Sequence, residues 1–262
     1  MFKTLYKFIY NLFPYRIEGE NNKIFIVLNG KKKRLRRKLD GLNVIINGKN
    51  IYLEIELPIN FKNTTIHLAG ENAVFIMKHT DTIVNSANFY VGSWGRCFIN
   101  ENIRLNQPNF KVIVNNNERF KPHKLVIGKN AQIGRDISIR TSDGHSIFKE
   151  DDILPYNEPQ DILIGDNVWI AQRVTILKGS KISSNSVIGA CSLVNKEFNE
   201  PNVIIAGNPA KVIKHNIRWE REPYGIWKNK YNNVYQNKKN IKSMLVKRIK
   251  HKFLKFIFRF YF

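Results

Sequence analysis

The stretch IGDNVW IAQRVT ILKGSK ISSNSV IGACSL V, residues 164–194, divides into hexads without a slip. Each hexad opens on an aliphatic residue: Ile164, Ile170, Ile176, Ile182, Ile188 and Val194. The next position is small in most units (Gly165, Ala171, Ser183, Gly189), and the fifth is Val168, Val174, Ser180, Ser186 or Ser192. A period of six fits neither the 3.6 of a helix nor the 2 of a strand; it marks a short strand and a corner, repeated. With each aliphatic turned to a common interior, three hexads make one triangular coil, and stacked coils bury a continuous column of Ile and Val. Asn130, Asn167 and Asn185 fall at corners, where Asn tolerates left-handed backbone angles. The expected fold class is mainly β, a solenoid.

Composition bounds the rest. The 262 residues suffice for a sizeable core, and 43% hydrophobic content is that of a folded chain. A formal charge of +22 speaks about partners: a membrane surface, a nucleic acid or an acidic substrate. Cys97 and Cys191 lie far apart and have the spacing of neither a metal cluster nor a disulfide framework, which suits a reducing cytoplasm. Residues 1–16 mix Lys3 and Lys7 with aromatics and Pro14, and predict neither a cleaved signal nor a spanning helix.

In chain order, residues 1–42 form a basic, aromatic N-terminal segment, in which Lys31–Lys38 carries seven charges in eight positions and reads as a solvated loop or hairpin tip. Residues 43–126 alternate short apolar bursts with Asn, Gly and Thr; Val91, Cys97 and Ile103 fall six apart, as in looser coils of the same solenoid. The strict lattice spans 127–214 and breaks once, at an inserted loop over 141–161 that holds Asp143-Gly144-His145, Pro155 and Pro159. Long irregular insertions in a strict repeat carry function or are disordered. Residues 215–262 form a basic, amphipathic C-terminal extension.

Three runs resemble signatures of the hexapeptide-repeat acyltransferases, in that family's order: Ile164–Ile170, Val187–Lys196 and Ala206-Gly207-Asn208-Pro209-Ala210-Lys211-Val212-Ile213. The likeness is close over residues 125–214, and the loop is nearest to the O-acetyltransferases of capsular and lipopolysaccharide sugars. It implies a left-handed parallel β-helix with basic, partly helical extensions, a homotrimer, and acetyl-CoA held in clefts between subunits. It also implies direct transfer without an acyl-enzyme.

His145 is the candidate general base: acetyl transfer to a sugar hydroxyl requires removal of its proton, and imidazole titrates near working pH. The histidine sits in the turn-rich loop and matches the family's catalytic position. Asp143 either orients the imidazole or makes the turn with Gly144. Trp169 follows His145 by 24 residues, an offset that similar enzymes use for a donor-site tryptophan; it fills the cleft, the trimer interface, or both. Gln172, Ala190, Asn195 and Lys196 match positions that the family uses along the coenzyme. Lys211 and Lys214 match its cations near the coenzyme phosphates. Cys191 has no base to activate it, and no metal is expected.

Read as a helix, residues 241–260 line Ile241, Leu245, Ile249, Phe253, Phe256, Ile257 and Phe260 on one stripe among seven cations. That pattern suits either an anionic membrane interface or a helix packed across the trimer. The expectation is therefore a cytoplasmic enzyme peripheral to the inner face of the cell membrane, acetylating a surface polysaccharide. The alternative within the superfamily, an N-acetyltransferase on an amino-sugar nucleotide, lacks its usual phosphate loop in residues 1–50. Nucleic-acid binding lacks a recognition motif and is not expected.

Overall fold

The computed structural model describes residues 15–115 and 121–232, with 234, 236, 242, 243 and 246. The N-terminal aromatic segment up to Pro14 and all seven apolar residues of the expected amphipathic stripe over 241–260 lie outside the described residues. The chain divides into two units, residues 1–219 and 220–262.

The first unit is a left-handed parallel β-helix, an exception to the usual right-handed crossover. The coils are built on three large sheets, and in the early coils a separate two-stranded sheet, Asn60–Lys62 with Ile83–Asn85, takes the place of the third. The first sheet stacks Arg16–Glu18, Leu42–Lys49, Thr64–Glu71, Ala87–Val91, Phe110–Val114, Ile137–Arg140, Thr175–Leu177 and Leu193–Val194. The second runs from Lys23–Leu28 through Tyr52–Glu56, Val74–Met77, Arg96–Ile99, Lys124–Ile127, Ile162–Ile164 and Lys181–Ile182 to Glu197–Phe198. The third holds Gln132–Ile133, Trp169–Ile170, Val187–Ile188 and Ile204–Gly207, and is closed by the antiparallel strand Ala210–Lys214.

The register explains the hexads. Ile176 pairs with Val194, Ile170 with Ile188 and Ile164 with Ile182, eighteen positions each, so three hexads make one coil. The interior residues Ile164, Ile170, Ile176, Ile182, Ile188 and Val194 are all buried. At roughly 25 cal/mol per Å² of apolar surface, this shared column is the main source of stability. Ser180, Ser186 and Ser192 are buried as well: Ser180 Oγ donates to the carbonyls of Leu177 (2.6 Å) and Val194 (3.1 Å), and Ser192 Oγ to that of Gly189 (2.7 Å). Asn130, Asn167 and Asn185 do take positive φ (58°, 54° and 61°), and Asn167 Nδ2 donates to Asn185 Oδ1 at 2.9 Å, tying successive corners.

Earlier coils are wider: Val44 pairs with Ile66 and Ile66 with Phe89, twenty-two and twenty-three positions apart. The larger interior is filled by Phe75, Phe89 and Phe110, packed edge to face at 5.1 and 5.6 Å. Val91, Cys97 and Ile103 lie in this interior as their spacing predicted.

Two expectations change. No break falls at residue 42, because Arg16–Glu18 and Lys23–Leu28 already occupy the first and second sheets. Within the basic run, Lys31–Arg34 is the second arm of a hairpin, antiparallel to Lys23–Leu28, and the tip is Asn29-Gly30. Its Lys32 bonds Glu54 at 2.7 Å and Tyr52 at 2.8 Å. After the closing strand, Ile217 N donates to Asn202 O and Trp219 Nε1 to Asn167 O, both at 2.8 Å, so the chain runs back along the corner asparagines.

In the second unit, helix α1 (Tyr224–Lys230) has no buried residue and carries Lys228 and Lys230 in its last turn. Among the described residues, no helix is long and apolar enough to cross a membrane.

Candidate active site

The insertion leaves the solenoid at the end of a first-sheet strand. Ile139 pairs with Ile176, thirty-seven positions on instead of eighteen, so the loop adds nineteen residues to one coil. Its stem is closed by Gln160 N donating to Thr141 O at 3.0 Å, and Thr141 is fully buried with its hydroxyl against Asn115. The loop thus starts and ends at fixed points on the edge between the first and second sheets.

Inside the loop Asn157 is the clasp. Its Oδ1 accepts from Ile147 N at 2.7 Å, and its Nδ2 donates to His145 O at 2.8 Å and to Asp143 Oδ2 at 2.9 Å. Lys178, at the same edge one coil on, donates to Asp143 Oδ2 at 2.6 Å and to Asn157 O at 2.7 Å. The Lys178 ammonium, aided by Asn157 and Arg140, holds the Asp143 carboxyl below its ordinary value despite partial burial. Gly144 N donates to Ser142 Oγ at 3.0 Å, which tightens the turn before the histidine.

These residues surround a pocket of about 190 Å³ lined by Ser142, Asp143, His145, Asn157, Glu158 and Asn115 among others. His145 is exposed at its wall, and among the described residues its ring accepts and donates no hydrogen bond. Asp143 sits two residues away, but its carboxylate is engaged by Lys178 and Asn157 and holds the loop. An exposed imidazole beside a cavity is free to accept a proton from a ligand hydroxyl.

The other residues expected at the site divide between edges. Asn195 and Lys196 follow Leu193–Val194, so they stand on the His145 edge, one coil beyond Lys178. Gln172 and Ala190 follow Trp169–Ile170 and Val187–Ile188, at the edge between the third and first sheets. Lys211, which pairs with Ala206, lies toward that edge too, while Lys214 pairs with Ile204 at the far end of the strand. Gln172 Oε1 accepts from Arg135 Nε at 3.2 Å on the preceding coil. Trp169 projects from the third sheet, 41% exposed, with Trp219 packed at a ring distance of 6.0 Å. Cys191 is an exposed corner residue at φ 58°. Within one chain, therefore, His145 does not meet Gln172, Ala190 or Lys211.

Asn157, Lys178 and Trp219 were not singled out from the sequence. Asn157 carries no motif, and Lys178 meets Asp143 only because the inserted coil brings positions 35 apart together.

The sequence profile of the bacterial transferase hexapeptide family (six repeats) matches residues 161–196. The chain is 32% identical over 183 residues to a polysialic acid O-acetyltransferase of Neisseria meningitidis, covering 70% of this chain and 80% of that protein. To a polysialic acid O-acetyltransferase of Escherichia coli O1:K1 it is 38% identical over 98 residues, 37% of this chain; the match spans 31% of that protein's length. The crystal structure of the polySia-specific acetyltransferase NeuO superposes with a TM-score of 0.65 at 28% identity, covering 80% of this chain and 89% of that one. On the profile match and the 32% identity that spans 80% of the Neisseria protein, the chain belongs to the hexapeptide-repeat acyltransferase family.

Proposed function

We propose that the chain is an acetyl-CoA-dependent O-acetyltransferase that acts on a hydroxyl of a bacterial surface polysaccharide. The observation that carries this reading is the exposed His145 at the wall of a pocket, on a loop wired by Asn157 and Lys178 to one edge of a hexapeptide solenoid. The named activities of the relatives support the reaction class.

The active unit is a homotrimer. The His145 edge and the Gln172–Ala190 edge flank the first sheet, so copies that meet through this sheet set the histidine edge of one against the opposite edge of the next. The outward row of that sheet supports the pairing: Ile45, His67, Tyr90, Ile113, Arg140 and Leu177 stand in register on its outer face, all half-buried, with one cation among mostly apolar and aromatic side chains.

The coenzyme fits the edge between the third and first sheets. Its corners carry Gly134, Ala171 and Gly189, and a Cβ on Gly189 would come within 2.7 Å of Ala206, so successive coils pack closely there with only small side chains along the edge. Trp169, Gln172 and Ala190 would line the coenzyme, with Asn195 and Lys196 contributed from the neighbouring copy's edge. Lys211 and Lys214 offer cations to its phosphates. When bound, acetyl-CoA supplies an acetyl group activated as a thioester.

His145 takes the acceptor hydroxyl proton as that oxygen bonds the acetyl carbon, and returns the proton to the sulfur as the carbon–sulfur bond breaks. Asn157 and Lys178 hold the loop so that the imidazole faces the pocket. The basic C-terminal extension keeps the enzyme at the inner, anionic face of the cell membrane. That role is tested by vesicle co-sedimentation of a chain ending at residue 237, where undiminished binding refutes it.

The function is tested by thiol release from acetyl-CoA over a panel of neutral and acidic bacterial polysaccharides and amino-sugar nucleotides. Release with a polysaccharide supports the reading. Release only with an amino-sugar nucleotide overturns it in favour of N-acetylation.

A further inference from the structure

The outer face of the second sheet carries cations in a register row. The parallel ladder sets Lys23 beside Tyr52, Tyr52 beside Val74, Val74 beside Arg96, and Arg96 beside Lys124. Their sequence neighbours Ile24, Leu53, Phe75, Cys97 and Leu125 are buried, so by strand alternation the row faces outward. Lys23 and Arg96 are exposed, and Lys124 is half-exposed.

Each end of the row leads somewhere. At one end lies the hairpin, where Lys31, Lys33, Arg34, Arg36, Arg37 and Lys38 are all exposed. At the other, Lys124 stands 3.9 Å from Asp161, where the His145 loop rejoins the solenoid, and Lys121 pairs at 2.8 Å with Glu158 of the pocket wall. Four strand spacings separate Lys23 from Lys124, a span of about 19 Å.

Charge on an edge strand commonly guards it against unwanted pairing, and that accounts for the hairpin alone. It does not account for Lys23 or Arg96, whose strands are paired on both sides. The second sheet also does not lie between the two edges that meet in the proposed trimer, so this face stays open. Tyr52 and Val74, between the cations, offer apolar contact to the carbon–hydrogen faces of sugar rings.

We propose that this row, continued by the hairpin, is a docking track for an anionic polysaccharide that bears carboxylates at regular intervals, the acceptor chain itself, which it feeds toward His145. The inference rests on the O-acetyltransferase reading for the identity of the bound chain as acceptor. The track predicts that polymers longer than about 19 Å bind better than short oligomers, and that salt weakens the advantage.

The test uses the full-length protein and fluorescein-labelled polysialic acid, read by anisotropy without acetyl-CoA. The Lys23→Glu/Arg96→Glu double variant should bind the polymer about tenfold more weakly, and Lys23→Arg/Arg96→Lys should restore binding. In the thiol-release assay the charge-reversed variant should show a raised KM for long polymer, with kcat and the KM for a short oligomer unchanged. Equal polymer affinity in wild type and the double variant overturns the track. So does a double variant that loses binding to anionic phosphatidylserine vesicles while keeping polymer affinity, since the face then serves a lipid surface. Polymer binding that depends on Lys23 and Arg96 in an enzyme that releases no thiol would leave the track standing and refute the O-acetyltransferase reading instead.

Discussion

Replacing Asn157 by Ala isolates the clasp of the loop from the histidine it presents. The side chain makes three hydrogen bonds, to Ile147 N, His145 O and Asp143 Oδ2, at 2.7, 2.8 and 2.9 Å. A protein hydrogen bond contributes about 1 kcal/mol net, and a loop open to water recovers part of that, so the loss is about 2 kcal/mol of loop order. About 2 kcal/mol is roughly a thirtyfold shift in population away from the pocket geometry, and kcat/KM for the acceptor should fall by about that factor. The solenoid core is not touched, so thermal unfolding should stay close to wild type, while acetyl-CoA affinity should change less than about twofold. Thiol-release kinetics, equilibrium dialysis with the coenzyme, thermal melting and limited proteolysis read turnover, coenzyme affinity, core stability and loop order separately. Near-wild-type kcat/KM in an Asn157→Ala enzyme whose loop has become protease-sensitive would refute the claim that loop order positions His145.

Lys178→Met should weaken the same tether from the solenoid side and lower activity by about tenfold, since it removes both a partly buried ion pair with Asp143 and the bond to Asn157 O; activity equal to wild type contradicts it. Because Lys178 holds the Asp143 carboxyl down from its ordinary 3.8, the tether is fully present above pH 3.8 and is lost only as pH falls through the lower folded value. The protection of the loop amides from hydrogen exchange, taken relative to the intrinsic rate at each pH, should therefore be constant across neutral pH in wild type, and protection that falls between pH 7 and 5 would contradict the assignment. Ile176→Ala should cost about 3 kcal/mol, because the side chain is fully buried between Ile139 and Val194 and the coils cannot collapse around the gap. Urea unfolding reads it, and a shift under about 1 kcal/mol would argue against a close-packed column.

How legible this structure is from sequence depends on the distance over which residues cooperate. Ile164 to Val194 announce their coils because each hexad repeats one local decision, and the positive φ of Asn167 and Asn185 is decided by the corner alone. The wider early coils repeat too, but Phe75, Phe89 and Phe110 replace the aliphatic ladder, and strands of up to eight residues blur the period. The basic run was visible as charge, yet its strand depends on pairing with Lys23–Leu28, which charge does not encode. At the site, His145 stands out because it interrupts a repeat. Asn157 and Lys178 do not, since their roles arise only when a nineteen-residue insertion folds against the following coil. The division of Gln172 and His145 between opposite edges of one sheet is likewise a property of the stacked coils and of no local motif.

The proposed role of His145 is to drive transfer of an acetyl group to a polysaccharide oxygen. The most direct measurement incubates acetyl-labelled acetyl-CoA with an acidic polysaccharide and wild-type or His145→Ala enzyme, then follows label in the polymer before and after mild alkali. Label should be incorporated by wild type, released by alkali as an ester is, and reduced by at least about a hundredfold with His145→Ala. Incorporation undiminished in His145→Ala, or an alkali-stable amide in its place, would contradict it.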